Sequence, residues 1–222
     1  MAHPTVLITG ASRGLGAAAA QTTAQMRANV VLMARSAADL ESVAGQIRAA
    51  GGQAHVVLGD VRKAADCQLA VEEAVEQSGR LDALVNNAGI LEPIAPIAEG
   101  DPRAWERNWA VNVLGPVMMT QAALPHLRQG KGRVINVSSG AAVSVVSGWA
   151  AYCAAKAALN HFTRVLAEEE PAITAIAFRP GVVDTDLQRQ IRREGAHGMP
   201  AEVHARFLRY HEDGDLLPPA VP

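Results

Sequence analysis

The sequence predicts an α/β protein, a doubly wound parallel sheet with helices on both faces in three layers. Three observations carry that prediction. Short apolar runs rich in Val, Ile and Leu alternate with longer Ala-rich stretches that carry charges at helical spacing. The apolar runs are nearly continuous rather than alternating with polar residues, as expected of strands covered on both faces. A glycine-rich turn follows the first run directly, in the position where a strand hands over to a helix.

Taken in order, the predicted strands are Thr5 to Thr9, Val30 to Met33, Ala54 to Leu58, Leu81 to Val85, Arg133 to Val137 and Ile173 to Phe178. Helices are expected between them over Gly14 to Arg27, Ala37 to Ala50, Lys63 to Gln77, Asp101 to Leu127 and Ala150 to Glu169. Asp101-Pro102 is a good helix start, because Pro at the first position gives up an N–H that has no partner there. Right-handed crossovers then give the strand order 3-2-1-4-5-6. The polar, basic stretch from Val183 to Leu217 holds Arg189, Arg192 and Arg193 and the aromatics Phe207 and Tyr210. It reads as a partly helical insertion over the C-terminal edge of the sheet, a placement suited to a substrate lid. All 222 residues are expected to form one dinucleotide-binding domain carrying this lid.

Composition narrows the function. A net charge of -2 gives no general reason to expect nucleic acid or an anionic membrane as partner. The two cysteines, Cys67 and Cys153, suit free thiols in a reducing compartment rather than a disulfide scaffold. No apolar run approaches the roughly 18–20 residues of a membrane helix, so a cytoplasmic protein acting on a small molecule is expected. No metal site is expected.

The chemistry starts at Gly10-Ala-Ser12-Arg13-Gly14-Leu15-Gly16. Gly10 permits a tight turn, Gly14 and Gly16 permit close approach to a pyrophosphate, and the next helix aims its N-terminus at the negative charge. A glycine triplet alone also suits a flexible surface turn. At the end of the second strand an acid would bond a ribose 2′-hydroxyl, whereas Arg35 stands there, and Asp39 and Glu41 lie too far into the next helix to replace that acid. With Arg13 inside the turn, two guanidinium groups are available to a 2′-phosphate, so NADP(H) is the expected cofactor.

Tyr152 and Lys156 stand one helical turn apart, with phenol and ammonium on one face. The cation should lower the phenol from its reference near 10 and make it a usable acid. Such a pair also arises by chance on helix surfaces.

Further motifs stand at strand ends: Asn86-Asn87-Ala88-Gly89 after the fourth, Ser138-Ser139 after the fifth, Pro180-Gly181 after the sixth. Together with the glycine turn and Tyr152/Lys156, the sequence from about Thr5 to Thr185 resembles the short-chain dehydrogenase/reductase family, with its Rossmann fold. The resemblance implies that the catalytic serine stands thirteen residues before the tyrosine, which selects Ser139, and that Asn112 completes a tetrad. It implies that Ser139 bonds the substrate carbonyl and Tyr152 protonates the developing alkoxide. Lys156 would tune Tyr152 and bond the nicotinamide ribose, and Asn112 would hold a water linking Lys156 to solvent. Tyr152 and Lys156 thus count among the cofactor contacts as well. Asp60 and Val61 match adenine contacts, though Asp60 also suits a loop cap. Asn87, Ala88 and Gly89 match the cofactor floor, and Pro180, Gly181, Val182 and Thr185 the nicotinamide loop.

Arg179-Pro-Gly-Val-Val-Asp-Thr-Asp-Leu-Gln188 further resembles the sepiapterin reductase-like branch, including benzil reductase-type members, which implies reduction of a ketone or vicinal diketone. Ser139 and Tyr152 would meet that substrate, and Trp149, Phe207 and Tyr210 are candidate pocket walls that equally suit packing within the lid. Family members continue beyond the equivalent of Pro222 into another helix and a seventh strand that supplies oligomer contacts. A homodimer is expected if that segment exists. Two other readings fit the same motifs: a non-catalytic module that senses NADP, and an alcohol or steroid dehydrogenase working oxidatively.

Overall fold

Along β1 (Thr5–Thr9) and β2 (Asn29–Ala34), successive apolar residues point to opposite faces, and each face meets its own core. The structure is a computed structural model that describes residues 3–222. Leu7, Val31 and Met33 pack under α3 (Ala64–Ser78) and α5 (Gly115–Leu127). Val6, Ile8, Val30 and Leu32 pack under α1 (Gly14–Gln25) and α2 (Ala37–Ala49). Leu7, Ile8, Leu32 and Leu84 are fully buried, and each contributes about 1.5–3 kcal/mol by leaving water.

With β3 (Gln53–Leu58), β4 (Ala83–Asn86), β5 (Arg133–Val137) and β6 (Thr174–Phe178), the strands form one parallel sheet in the order β3-β2-β1-β4-β5-β6. This is the predicted doubly wound, Rossmann-like fold. The order reverses between β1 and β4, which opens a crevice at their C-terminal ends. No helix among the described residues is long and apolar enough to cross a membrane.

One element differs from expectation. The single helix predicted from Asp101 to Leu127 is divided: α4 (Pro102–Trp109) passes through a π-helical turn at Ala110–Leu114 before α5 begins. Pro116 has no N–H to offer the carbonyl of Asn112 in an α-helical register, which favours a local change of pitch. The widened turn carries Asn112, fully buried, toward the loop after β4.

The stretch after β6, expected to be a partly helical insertion, forms two helices, α7 (Asp186–Gly198) and α8 (Ala201–Glu212). The buried stripe of α7 is Gln188, Ile191, Gly195 and Gly198, whose helical spacing is hidden from a hydropathy reading because two members are glycines. Those glycines allow close contact: a Cβ on Gly195 would stand 2.5 Å from the His204 ring, and one on Gly198 1.9 Å from the Ile94 carbonyl oxygen. His204 Nε2 lies 3.2 Å from the carbonyl oxygen of Ile191, tying α8 to α7. At the base, the Asp184 N–H donates to Leu217 O at 2.9 Å and the Leu217 N–H to Val182 O at 2.9 Å. The chain thus leaves and rejoins the sheet's edge at one point.

Candidate active site

The glycine turn shapes the floor of the crevice. Gly10 and Gly14 have φ of 64° and 55°, in the left-handed region open to glycine at little cost. A Cβ on Gly10 would stand 2.8 Å from Ala88 Cα, and one on Gly16 would stand 2.3 Å from the Gly10 carbonyl oxygen. Only hydrogens fit, so the turn lies directly against the Asn87-Ala88 segment. Gly16 therefore serves closure of the turn itself. The N-terminus of α1 has no side-chain cap at Arg13, so its dipole and backbone N–H groups face the crevice, a seat for an anion.

Thr9 fixes this floor from below, a role that the sequence motifs did not single out. Its hydroxyl oxygen accepts the N–H groups of Asn87 and Ala88, both at 3.1 Å. Asn87 Nδ2 in turn donates to the carbonyls of Thr9 and Gly10 at 3.0 and 3.1 Å. These bonds lock β1 to β4 where the strand order reverses.

The two arginines expected to converge on a 2′-phosphate both line the cleft, and Arg13 is already paired. Arg13 Nε lies 3.1 Å from Asp186 Oδ2, across the crevice at the start of α7. Arg35 is exposed at the end of β2; nearby, the Arg62 side-chain hydrogen bonds hold the Asp60 carboxyl below its ordinary value against the opposing effect of burial, with the Arg35 charge a smaller addition. Asp60 also accepts the Arg62 backbone N–H at 3.0 Å and so acts as a loop cap. Val61, beside it, is buried and lines the same crevice.

α6 (Ala150–Glu169) delivers Tyr152 and Lys156, 7% and 4% exposed. Lys156 Nζ donates to the Val137 carbonyl at 2.7 Å and stands 5.6 Å from the Tyr152 ring centre. Ser138 turns inward and donates to Asn160 Oδ1 at 2.6 Å, whereas Ser139 opens a short turn and faces the phenol. The expected depression of Tyr152 is not found. Burial pushes the phenol up to about 12, with Ser139 pulling the other way, because loss of water disfavours phenolate more than the facing hydroxyl supports it. Burial likewise pushes Lys156 down to about 8. Tyr152 is therefore a phenol, a proton donor, over the whole neutral range.

Asn112 sits close by: a Cβ on Gly89 would stand 3.0 Å from Asn112 Oδ1 and 3.7 Å from Lys156 Nζ. Its amide bonds both backbone groups of Ile90, accepting at 3.2 Å and donating at 2.8 Å. It also donates to Asn108 Oδ1 at 2.9 Å, and Asn108 Nδ2 donates to the Leu91 and Glu92 carbonyls at 3.1 and 2.6 Å. The pair pins the loop that follows Gly89. Asn108 was missed in the sequence, although it stands one turn before Asn112 on the same face.

Gly10, Gly14, Arg13, Arg35, Asp60, Asn87 to Gly89, Ser139, Tyr152 and Lys156 line one cleft of about 1480 Å³ at the C-terminal edge of the sheet, whereas Asn112 is fully buried and does not line it. Pro180, Gly181, Val182 and Thr185 form its β6 side. Trp149, Phe207 and Tyr210 line the lid side, with ring centres 4.9 Å apart for Trp149 and Phe207 and 5.9 Å for Phe207 and Tyr210. These aromatics pack on one another and line the cleft. The cleft can seat an extended anionic ligand on the glycine turn and present a hydroxyl pair, half-buried Ser139 and buried Tyr152, at its far end.

Residues 4–196 match the protein-family model for short chain dehydrogenase. A benzil reductase ((S)-benzoin forming) of Saccharomyces cerevisiae is 37% identical over 228 residues, covering 98% of this chain and 86% of that protein. The crystal structure of the KRED1-Pglu enzyme superposes with a TM-score of 0.94 at 40% identity, covering 99% of this chain and 91% of that one. A metagenomic short-chain oxidoreductase in complex with NADP superposes at 0.76 with 33% identity, covering 83% and 84%. The strand order, the glycine cradle and these likenesses agree: the chain belongs to the short-chain dehydrogenase/reductase family of nicotinamide-dependent oxidoreductases.

Proposed function

We propose that the chain is an NADPH-dependent reductase that converts a ketone or vicinal diketone to an alcohol. One observation carries the reading: a buried phenol, held protonated, faces a serine hydroxyl in the same cleft as an uncapped helix N-terminus behind a glycine turn. The cradle suits a dinucleotide, because three glycines bring backbone where side chains would otherwise stand. Gly10, Ser12, Arg13, Gly14, Leu15 and Gly16 would hold the pyrophosphate side. Arg35 would meet the 2′-phosphate, and Asp60 and Val61 the adenine. Asn87, Ala88 and Gly89 would form the floor, with Pro180, Gly181, Val182 and Thr185 around the carboxamide. NADP-bound and benzil-reducing relatives support these assignments.

When bound, the reduced nicotinamide supplies a hydride to the carbonyl carbon. Ser139 donates a hydrogen bond to the carbonyl oxygen, and Tyr152 gives that oxygen its phenolic proton as the C=O π pair becomes an O–H bond. Lys156, anchored on Val137, places its ammonium beside the phenolate that results and beside the ribose. Asn112 and Asn108 hold the loop under this group, and residues 183–217 act as the lid, with Trp149, Phe207 and Tyr210 as its apolar wall. Tyr152 as a phenol supplies the proton that reduction needs, whereas oxidation would need phenolate as base. NADPH consumption, followed by absorbance with benzil and simple aryl ketones, tests the reading; tight NADPH binding without turnover of any of them would reject it.

A further inference from the structure

Helix α7 opens on Thr185-Asp186-Leu187-Gln188, the spacing of a reciprocal N-cap in which the threonine hydroxyl and the glutamine amide satisfy each other's backbone N–H groups. The structure does not use it. Thr185 makes no side-chain cap, and its hydroxyl donates instead to the Val183 carbonyl at 3.4 Å. Gln188 turns inward until only 6% of it is exposed, and its Oε1 has no hydrogen-bond partner among the described residues. A buried amide oxygen without a partner is unfavourable, and a local partner was available within one turn. Local rules fail most often where a side chain is held for a ligand.

The direction of Gln188 is set by helical spacing. It heads the buried stripe of α7 and is that stripe's polar member, one turn before Ile191, which packs with Trp149, Tyr152 and Phe207. Gln188 lines the cleft with Ser139 and Tyr152. Those two already supply donors to a reacting carbonyl oxygen, so a third polar group on this wall has a different atom to meet. Resting on the reading of the chain as a diketone reductase, we propose that Gln188 is a specificity-determining residue whose amide N–H donates to the second oxygen of a vicinal dicarbonyl. The amide carries a donor and an acceptor on one rotatable torsion, so its N–H is the end that donates to the ligand. A plain ketone lacks the second oxygen and leaves the amide unpaired, which is the basis of discrimination.

Benzil and deoxybenzoin share a skeleton and differ in that a methylene replaces one carbonyl, so they isolate the second oxygen. The full chain, NADPH and each substrate give kcat/KM values, whose ratio is normalised to the ratio of borohydride reduction rates. The parent should favour benzil beyond that chemical reference, and Gln188→Met and Gln188→Leu should each lower the normalised ratio about tenfold or more. A ratio within about twofold of the parent overturns the proposal even if both rates drop, because a loosened lid harms both substrates alike. Thermal melting identifies a variant that fails to fold, in which case the other variant carries the ratio. A parent with no preference beyond the chemical reference overturns the assignment of Gln188 while leaving the reductase reading intact. A parent that turns over neither substrate overturns both.

Discussion

Arg13 and Asp186 join the glycine turn to the first residue of the lid helix, Nε to Oδ2 at 3.1 Å. Both side chains are well exposed, at 69% and 45%, so the pair contributes no more than about 1 kcal/mol. Its larger effect is on charge in the cleft, where Asp186 competes with any anionic ligand for the guanidinium. Asp186→Asn should tighten NADPH binding a few-fold at low salt, with the gain shrinking as salt rises. Fluorescence titration at two ionic strengths checks this, and weaker binding in the variant would contradict it.

Arg35 stands where an acid would select NAD. Its removal should separate the two cofactors: Arg35→Ala should raise the Kd of NADPH about tenfold or more and leave NADH nearly unchanged. Equal losses for both would show that the residue does not read the 2′-phosphate.

Tyr152→Phe keeps the ring beside Trp149, whose centre lies 6.0 Å away, and removes only the proton donor. Turnover should fall by about 10²–10⁴ while NADPH still binds. Retention of more than a tenth of the parental rate would move the proton to another donor.

Lys156 offers a pH signature in stability. Its amine has an ordinary value of 10.5 and is pushed down to about 8 in the fold, so between these values the unfolded chain binds more protons. Stability therefore rises with pH through that window, by at most about 1.4 kcal/mol per pH unit. Tyr152 acts oppositely, but only above its ordinary value of 10.0, where the fold retains a proton that the unfolded chain has lost. Urea unfolding from pH 7 to 10 should show a rising difference between the parent and Lys156→Met. A flat difference would mean that the amine keeps its ordinary affinity for protons.

The sheet was legible because its strands are apolar on both faces, a pattern that survives without any tertiary information. The choice of Ser139 over Ser138 rests on family spacing, and in the structure Ser138 turns inward onto Asn160. The π-helical turn was not read from the sequence, although Pro116, which cannot donate to the Asn112 carbonyl, lies inside the helix predicted from Asp101 to Leu127. The insertion was legible as partly helical, but the buried face of α7 was not, because Gly195 and Gly198 bury by contact rather than by apolarity. The expected depression of the Tyr152 phenol failed because sequence spacing shows the neighbouring charge and not the burial that outweighs it.

The closure at Val183 and Leu217 has a kinetic consequence. The loop from Pro180 to Thr185 runs without a break into α7, so the segment that would meet the nicotinamide is also the root of the substrate's roof. Whatever orders the loop sets the helix above it. Cofactor should therefore enter first and leave last, with NADP⁺ competing against NADPH at every ketone concentration, and a random order of addition would show that the roof seats itself independently.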